Sequence, residues 1–190
     1  MAEHVCPVWV GHLLASPIRK IFQDPYKILG AYISRGKQVL DAGSAMGYFS
    51  LAMAEVVKPT GKVYSVDLQE EMLTRLRMKA GKKHLNDYIE TIKCSETNLK
   101  IDHLEGKIDF ALVFAVLHEV PDQAQFLTQV YKSLRSGGLM LFAEPKGHVS
   151  PAQFEKSMEI AEKIGFASET CPDIKRSHAV LMSKDHKEFF

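Results

Sequence analysis

Two aspartates and two glycines carry the plainest chemistry in this chain. The run Lys37 to Val57, KQVLDAGSAMGYFSLAMAEVV, places Asp41, Gly43 and Gly47 between an apolar stretch and an amphipathic one. It reads as a buried strand over Gln38 to Asp41, a glycine turn over Gly43 to Gly47, and then a helix. The apolar face of that helix carries Phe49, Leu51, Met53, Ala54 and Val57. A strand that enters a helix through such a turn presents backbone N–H groups at the helix start, and the glycines let a ligand approach the main chain. Asp67 lies twenty residues beyond Gly47, at the end of a second strand over Lys62 to Val66. A carboxylate there is placed to accept hydrogen bonds from both hydroxyls of a ribose. Turn and acid together make a nucleoside-binding corner.

The elements that must position this corner alternate along the chain. A short helix is expected around His12 to Phe22, broken by Pro17. A second starts at Asp24, with Pro25 in its first turn, and stops near Gly36. Gln69 to His84 reads as a helix with Met72, Leu73, Leu76 and Ala80 on one face. Its other face carries Arg75, Arg77, Lys79, Lys82 and Lys83, as a solvated face or a site for an acidic partner. Tyr88 to Lys93 is a third strand and Ile108 to Val113 a buried fourth. Asp122 to Arg135 is helical, Ser136-Gly137-Gly138 turns into a fifth strand over Leu139 to Ala143, and Pro151 to Ile164 is helical between Ser150 and Gly165. Phe166 to Thr170 and His178 to Ser183 form a closing antiparallel pair. The order predicts an α/β fold, a Rossmann-like three-layer sandwich with a mostly parallel sheet. Ligands in such sheets sit at the carboxyl ends of the strands, so Asp41, Asp67, Ser95, Ala115 and Glu144 are expected along one rim.

Composition bounds the class. With 190 residues, 46% apolar and 25% charged, the chain is expected to form one domain, residues 1–36 serving as a helical cap on a core of 37–190. A net charge of +1 argues against an extended nucleic-acid surface. No apolar run reaches the ~18 residues of a membrane helix, so no membrane partner is expected. Cys6, Cys94 and Cys171 show no C-x-x-C spacing, so neither a disulfide framework nor a metal is expected, in keeping with a cytoplasmic location. Cys94 and Cys171 read as small buried hydrophobes in strand-like segments.

The glycine spacing is G-x-x-x-G rather than the G-x-G-x-x-G of a dinucleotide site, which leaves a nicotinamide-dependent oxidoreductase as a distant alternative. Asp41-x-Gly43-x-x-x-Gly47 resembles the first motif of the class I S-adenosylmethionine-dependent methyltransferases. The resemblance continues in order through Val66-Asp67, Lys107 to Val113, Val116 to Pro121, and Leu134-Arg135-Ser136-Gly137-Gly138. Gly47-Tyr48-Phe49 and Leu117 to Pro121 bring it nearest to the small-molecule branch that includes quinone-biosynthesis and arsenite methyltransferases. The resemblance implies S-adenosylmethionine as cofactor, S-adenosylhomocysteine as product and a small-molecule acceptor. It places Asp41 and the turn of Gly43, Ser44, Ala45 and Gly47 at the methionyl end, with Tyr48 either against that end or anchoring its helix. Asp67 would hold the ribose, Leu68 would pack on the adenine, and Ala115 would line the same rim. Two positions depart from the family pattern: Ala45 replaces a glycine, and the acid that reads the adenine aligns with Ser95, Glu96 being one position on.

Methyl transfer from a sulfonium is an in-line displacement, so positioning and desolvation are the main demands. A thiol, amine or metalloid acceptor needs little beyond deprotonation, whereas a carbon or hydroxyl acceptor needs a general base. His118 is the candidate base, and capping of its loop is the alternative. Glu119 reads as a loop or cofactor-shell residue and Glu144 as a structural carboxylate. An S-adenosylmethionine-binding protein without transfer activity, a sensor or partner subunit, is the second functional reading.

Overall fold

Near-continuous apolar strands pair in parallel and set the architecture of residues 23–184, the part of the chain described by the computed structural model. Five strands run the same way: β1 (Gln38–Ala42), β2 (Lys62–Asp67), β3 (Ile89–Lys93), β4 (Ile108–Phe114) and β5 (Leu134–Pro145). Two more, β6 (Phe166–Thr170) and β7 (Ser177–Lys184), close the sheet, β7 running antiparallel to both β5 and β6. The spatial order is β3-β2-β1-β4-β5-β7-β6, so the strand order reverses between β1 and β4. The Rossmann-like expectation is met, including the antiparallel C-terminal pair.

Helices cover both faces. α1 (Pro25–Leu29), α2 (Tyr48–Val57) and α3 (Glu70–Lys82) meet one face, where Leu29, Phe49, Met53, Val57 and Leu76 pack on Val39, Val63, Phe110 and Leu112. α4 (Gln123–Ser133) and α5 (Pro151–Ile164) meet the other, where Phe126, Leu127, Val130, Phe154 and Ala161 pack on Leu40, Val66, Val113, Met140 and Phe142. Alternate residues of one strand thus feed two cores, which is why these strands read as unbroken apolar runs. Helix starts follow local chemistry: Asp24 accepts from Tyr26 N, Asp122 from Gln125 N, and Ser150 forms a reciprocal capping box with Gln153.

Several boundaries differ from expectation. The helix begun at Asp24 ends at Leu29 rather than near Gly36, because Ile33 turns into the core and Tyr32 stacks on Phe110 at 5.8 Å. α4 stops at Ser133, whose hydroxyl donates to Val130 O, and Leu134 and Arg135 belong to β5. Leu134 pairs with Ile108, so Ser136-Gly137-Gly138 is an irregularity inside the strand and not a turn before it. Gly138 is required there, since a Cβ would lie 2.9 Å from Arg135 O and 3.0 Å from Ile108 O. Cys171 is exposed and lies past the end of β6; Cys94 lies just past β3 and is half-buried. The expected His12 to Phe22 helix lies outside the described residues. Among the described residues no helix is long and apolar enough to cross a membrane.

Phe142 is fully buried and stacks on Phe154 at 4.8 Å, tying β5 to α5. Phe142→Ala is expected to cost about 3–5 kcal/mol of unfolding free energy, measured by urea denaturation.

Candidate active site

The glycine turn is held by the strand beside it. Val66 O accepts from both Gly43 N and Ser44 N at 2.9 Å, Asp67 Oδ2 accepts from Ala45 N at 2.8 Å, and Gly47 N donates to Ser44 O at 2.9 Å. The amides of Gly43, Ser44, Ala45 and Gly47 are therefore engaged within the protein. Gly43 and Gly47 have φ of 86° and 80°, and both also lie under neighbours. A Cβ on Gly43 would meet Val116 Cγ2 at 2.6 Å, and one on Gly47 would meet Leu76 Cδ1 at 2.2 Å. Ala45, where the family pattern has glycine, is itself left-handed at φ 46°. The methyl group is accommodated at the cost of backbone strain. Lys79, on the helix face read as basic, donates to Met46 O at 3.1 Å, and its burial lowers its pKa.

Asp67 ends β2 partly exposed. Its second oxygen accepts from Gln69 N at 2.8 Å, and burial raises its pKa while the Gln69, Ala45 and Leu68 amides pull it back. A carboxylate offers roughly four acceptor positions, so capacity remains for hydroxyl donors. Asp41 is buried and accepts from Ser50 Oγ at 2.5 Å. Ser65 stands opposite Asp41 in register, and its buried hydroxyl has no hydrogen-bond partner; the same holds for Ser44 Oγ in the turn. The Tyr48 hydroxyl donates to Gln23 O at 2.9 Å, which supplies the anchoring role. Leu68 is half-buried beside Asp67. Ser95 Oγ accepts from Asn98 N at 3.1 Å and closes its own turn, while Glu96 is exposed next to it. Cys94 is no thiolate, its pKa being pushed up to about 11 by burial and then by Asp67.

A second polar group forms where β4 and β5 end together. Ala115 has φ 57° and donates to Ala143 O at 2.8 Å, turning the chain so that Val116 reaches Gly43. The 3-10 turn Leu117–Glu119 follows. Glu144 is 1% exposed; its Oε1 accepts from Leu117 N at 2.8 Å and its Oε2 faces His118 Nδ1 at 2.5 Å. His118 Nε2 is 3.8 Å from Glu119 Oε1, and its ring lies 5.8 Å from that of His148. The Glu144 hydrogen bond raises the His118 pKa, burial opposes it, and the charges of Glu144 and Glu119 add to the rise. His118, Glu119 and Glu144 thus come together beside the glycine turn. The Glu144–His118 pair escaped the sequence reading because it depends on β4 and β5 being neighbours. The Asp41–Ser50 bond left one signal, a serine on a helix face that is otherwise apolar. Among the described residues no group of three or more His, Cys, Asp or Glu could hold a metal.

A family model described as a methyltransferase domain matches residues 33–187. The chain belongs to the methyltransferase domain family. Its relatives include the tRNA 5-carboxymethoxyuridine methyltransferase of Escherichia coli K12, 31% identical over 120 residues, which are 63% of this chain and 44% of that protein. They also include the demethylmenaquinone methyltransferase of Geobacillus sp. (strain WCH70), 26% identical over 112 residues, 59% of this chain and 47% of that one. The chain spans about half the length of these curated relatives or less. A SAM-dependent methyltransferase from Aquifex aeolicus has the same fold at a TM-score of 0.83 and 22% identity, over 95% of this chain and 100% of that one. The family match removes the nicotinamide alternative and agrees with the quinone-biosynthesis likeness. The relative named for tRNA leaves nucleic-acid acceptors open, against the exclusion drawn from net charge.

The left-handed Ala45 gives this methyltransferase domain a testable weak point. Ala45→Gly is expected to raise stability by up to about 1 kcal/mol, the relieved strain less the entropy glycine adds to the unfolded chain. Ala54→Gly in α2 is expected to lose at least about 1 kcal/mol. Chemical denaturation of the two variants checks both signs.

Proposed function

We propose that the protein transfers a methyl group from S-adenosylmethionine to a small-molecule acceptor. The observation that carries this reading is the Asp67 carboxylate, partly exposed at the tip of β2 and bonded to the glycine turn, with acceptor capacity left for a ribose. Asp41 and the turn of Gly43 to Gly47 would flank the methionyl end. Leu68 and Ala115 would enclose the nucleoside, with Glu96 rather than the self-bonded Ser95 toward the adenine. Bound there, the cofactor supplies an electrophilic methyl group on a sulfonium; the protein supplies position and exclusion of water. Residues 23–184 with the flanking segments would form one catalytic domain, the chain before β1 acting as a cap.

Charge favours a small acceptor. Arg75 and Arg77 on α3 pair with Glu71 and Glu70 and are neutralised locally, while Lys37 and Arg135 share the single Asp109 carboxylate, so these four cations leave one net positive charge and form no basic stripe. The relative named for demethylmenaquinone methylation supports the same class, while the one named for tRNA makes tRNA the control acceptor.

A thermal-shift titration with S-adenosylmethionine, S-adenosylhomocysteine and NAD(H) tests the cofactor. Ligand at a hundred times its dissociation constant adds about 2.7 kcal/mol, or roughly 5–10 °C in midpoint for this size. The shift is expected with the two adenosyl compounds alone and is expected to vanish in Asp67→Ala. Asp67→Asn keeps one of the two acceptor oxygens that hold Ala45 N and Gln69 N, and the midpoints of the ligand-free variants separate lost ribose binding from a collapsed turn. A shift with NAD(H) alone defeats the proposal.

A further inference from the structure

The carboxylate at the end of β5 joins a main-chain amide and an imidazole. Glu144 is almost completely buried, and its two oxygens face two different partners, the Leu117 amide and the His118 ring. An ionised carboxylate only accepts, so the His118 nitrogen that faces it, Nδ1, must carry the proton. The neutral ring then has its lone pair on Nε2. That nitrogen points away from Glu144, on a side chain 24% exposed, with Glu119 at 3.8 Å and so beyond hydrogen-bonding distance.

The turn that carries the ring is fixed from several sides. Leu117 N is held by Glu144, Glu119 N donates to Val116 O at 3.0 Å, and Gln123 Nε2 donates to Leu117 O at 3.2 Å. Gln123 is itself held by Ser157 Oγ on α5 at 2.8 Å. Val116, two residues before His118, rests on Gly43 of the cofactor turn. A rigid, oriented imidazole therefore stands beside the corner proposed for the nucleoside.

We propose that His118 is a general base oriented by Glu144, and that the acceptor methylated at this site is a hydroxyl-bearing small molecule. The proposal rests on the methyltransferase reading above. A thiol is partly ionised near neutral pH, and an ammonium that has lost its proton to water is already a neutral nucleophile, whereas a hydroxyl has to lose its proton as it attacks. In the step, the acceptor oxygen forms its bond to the methyl carbon while the carbon–sulfur bond breaks and its electron pair stays on sulfur. The hydroxyl proton passes to His118 Nε2, and Glu144 remains ionised against the imidazolium. Glu144 is a positioning residue: it selects the tautomer and stabilises the charge that develops on the ring.

The titration of the ring follows from every group that faces it. Glu144 reaches it from β5, Glu119 from its own turn and His148 from the loop after β5, while His178 on β7 stands opposite Glu144 in register. The two carboxylates raise its pKa above the usual value near 6.5. The stability this pair adds is complete below the unfolded value and is lost as pH rises through the raised folded one. The base form appears over that same upper range, so turnover should rise with pH there.

Nitrogen-detected NMR of the ligand-free protein reads the dyad directly. The expected result is a His118 midpoint above that of an ordinary histidine and a neutral ring protonated on Nδ1. Glu144→Gln, whose side-chain oxygen can still accept from Leu117 N, presents its NH2 to Nδ1 and should lower the midpoint and move the neutral ring's proton to Nε2. Glu119→Gln should lower it less and leave the tautomer unchanged. A neutral ring protonated on Nε2 in the unaltered protein, or a midpoint that Glu144→Gln does not move, overturns the proposal. The second arm measures methyl transfer from S-adenosylmethionine to phenol and catechol probes, with primary amines and thiols as controls. Transfer to a hydroxyl probe is expected to rise with pH, to fall by about a hundredfold or more in His118→Ala, and to fall in Glu144→Gln, whose neutral ring carries its proton on Nε2. Transfer confined to amines or thiols, hydroxyl transfer untouched by His118→Ala, or no hydroxyl transfer by protein that binds S-adenosylmethionine overturns the acceptor class. Failure to bind S-adenosylmethionine overturns the methyltransferase reading itself, and the thermal titration detects that separately.

Discussion

The hydrogen bonds from the glycine turn to the tip of β2 are the constraint on which the site depends. Gly43 N and Ser44 N converge on Val66 O, and Ala45 N reaches the Asp67 carboxylate. These bonds tie the loop after one strand to the end of its parallel neighbour, next to the place where strand order reverses. They also set the backbone conformation. A turn wrapped this tightly needs left-handed residues at Gly43, Ala45 and Gly47, and two of the three are glycine. Asp67 is thus both a buttress of the turn and the carboxylate at its mouth. Burial raises its pKa while the amides oppose that rise, a balance that keeps an acceptor present where hydroxyl donors would dock.

The neighbouring strand pair repeats the arrangement with other residues. Where β4 and β5 end, Ala143 O holds Ala115 N, and Glu144 reaches back to the Leu117 amide and the His118 ring. In both places a carboxylate at a strand end organises the loop that follows the adjacent strand. Val116 joins the two, since it belongs to the second loop and fills the space that the missing Gly43 side chain leaves. A bulkier residue at Gly43 would therefore displace the His118 turn as well as strain its own, because the two loops share one contact surface.

Much of this was legible in the chain because it is periodic or local. The unbroken apolar runs of β1 and β4 announced buried parallel strands, and Asp24, Asp122 and Ser150 announced helix starts that the structure realises. Asp41, Gly43, Gly47 and Asp67 were legible as a corner because each follows a strand at a fixed interval. Features that depend on contact between distant segments were not. Nothing local tells that Leu76 lies under Gly47, that Lys79 clamps Met46, or that the turn amides are consumed by Val66 and Asp67. The Ser136-Gly137-Gly138 run shows the limit most clearly. Its glycines read as a turn between elements, yet the pairing of Leu134 with Ile108 pulls them inside the strand.

The same limit explains why the cofactor class was easier to read than the acceptor. A nucleoside would be recognised here by backbone geometry and one carboxylate, features that leave glycines and an aspartate at set spacings. A hydroxyl acceptor would be recognised by its reacting proton, and the group that takes it is defined by orientation rather than by spacing. His118 alone is an ordinary loop histidine. What distinguishes it is a buried carboxylate twenty-six residues on, brought to its Nδ1 by strand pairing, which in the proposal above gives the ring one tautomer and an outward lone pair. Burying Glu144 without such a partner would cost several kcal/mol, so a chain that places a carboxylate there must also supply the imidazole and the amide that satisfy it. The energetic requirement of the fold and the orientation of the proposed base are one arrangement.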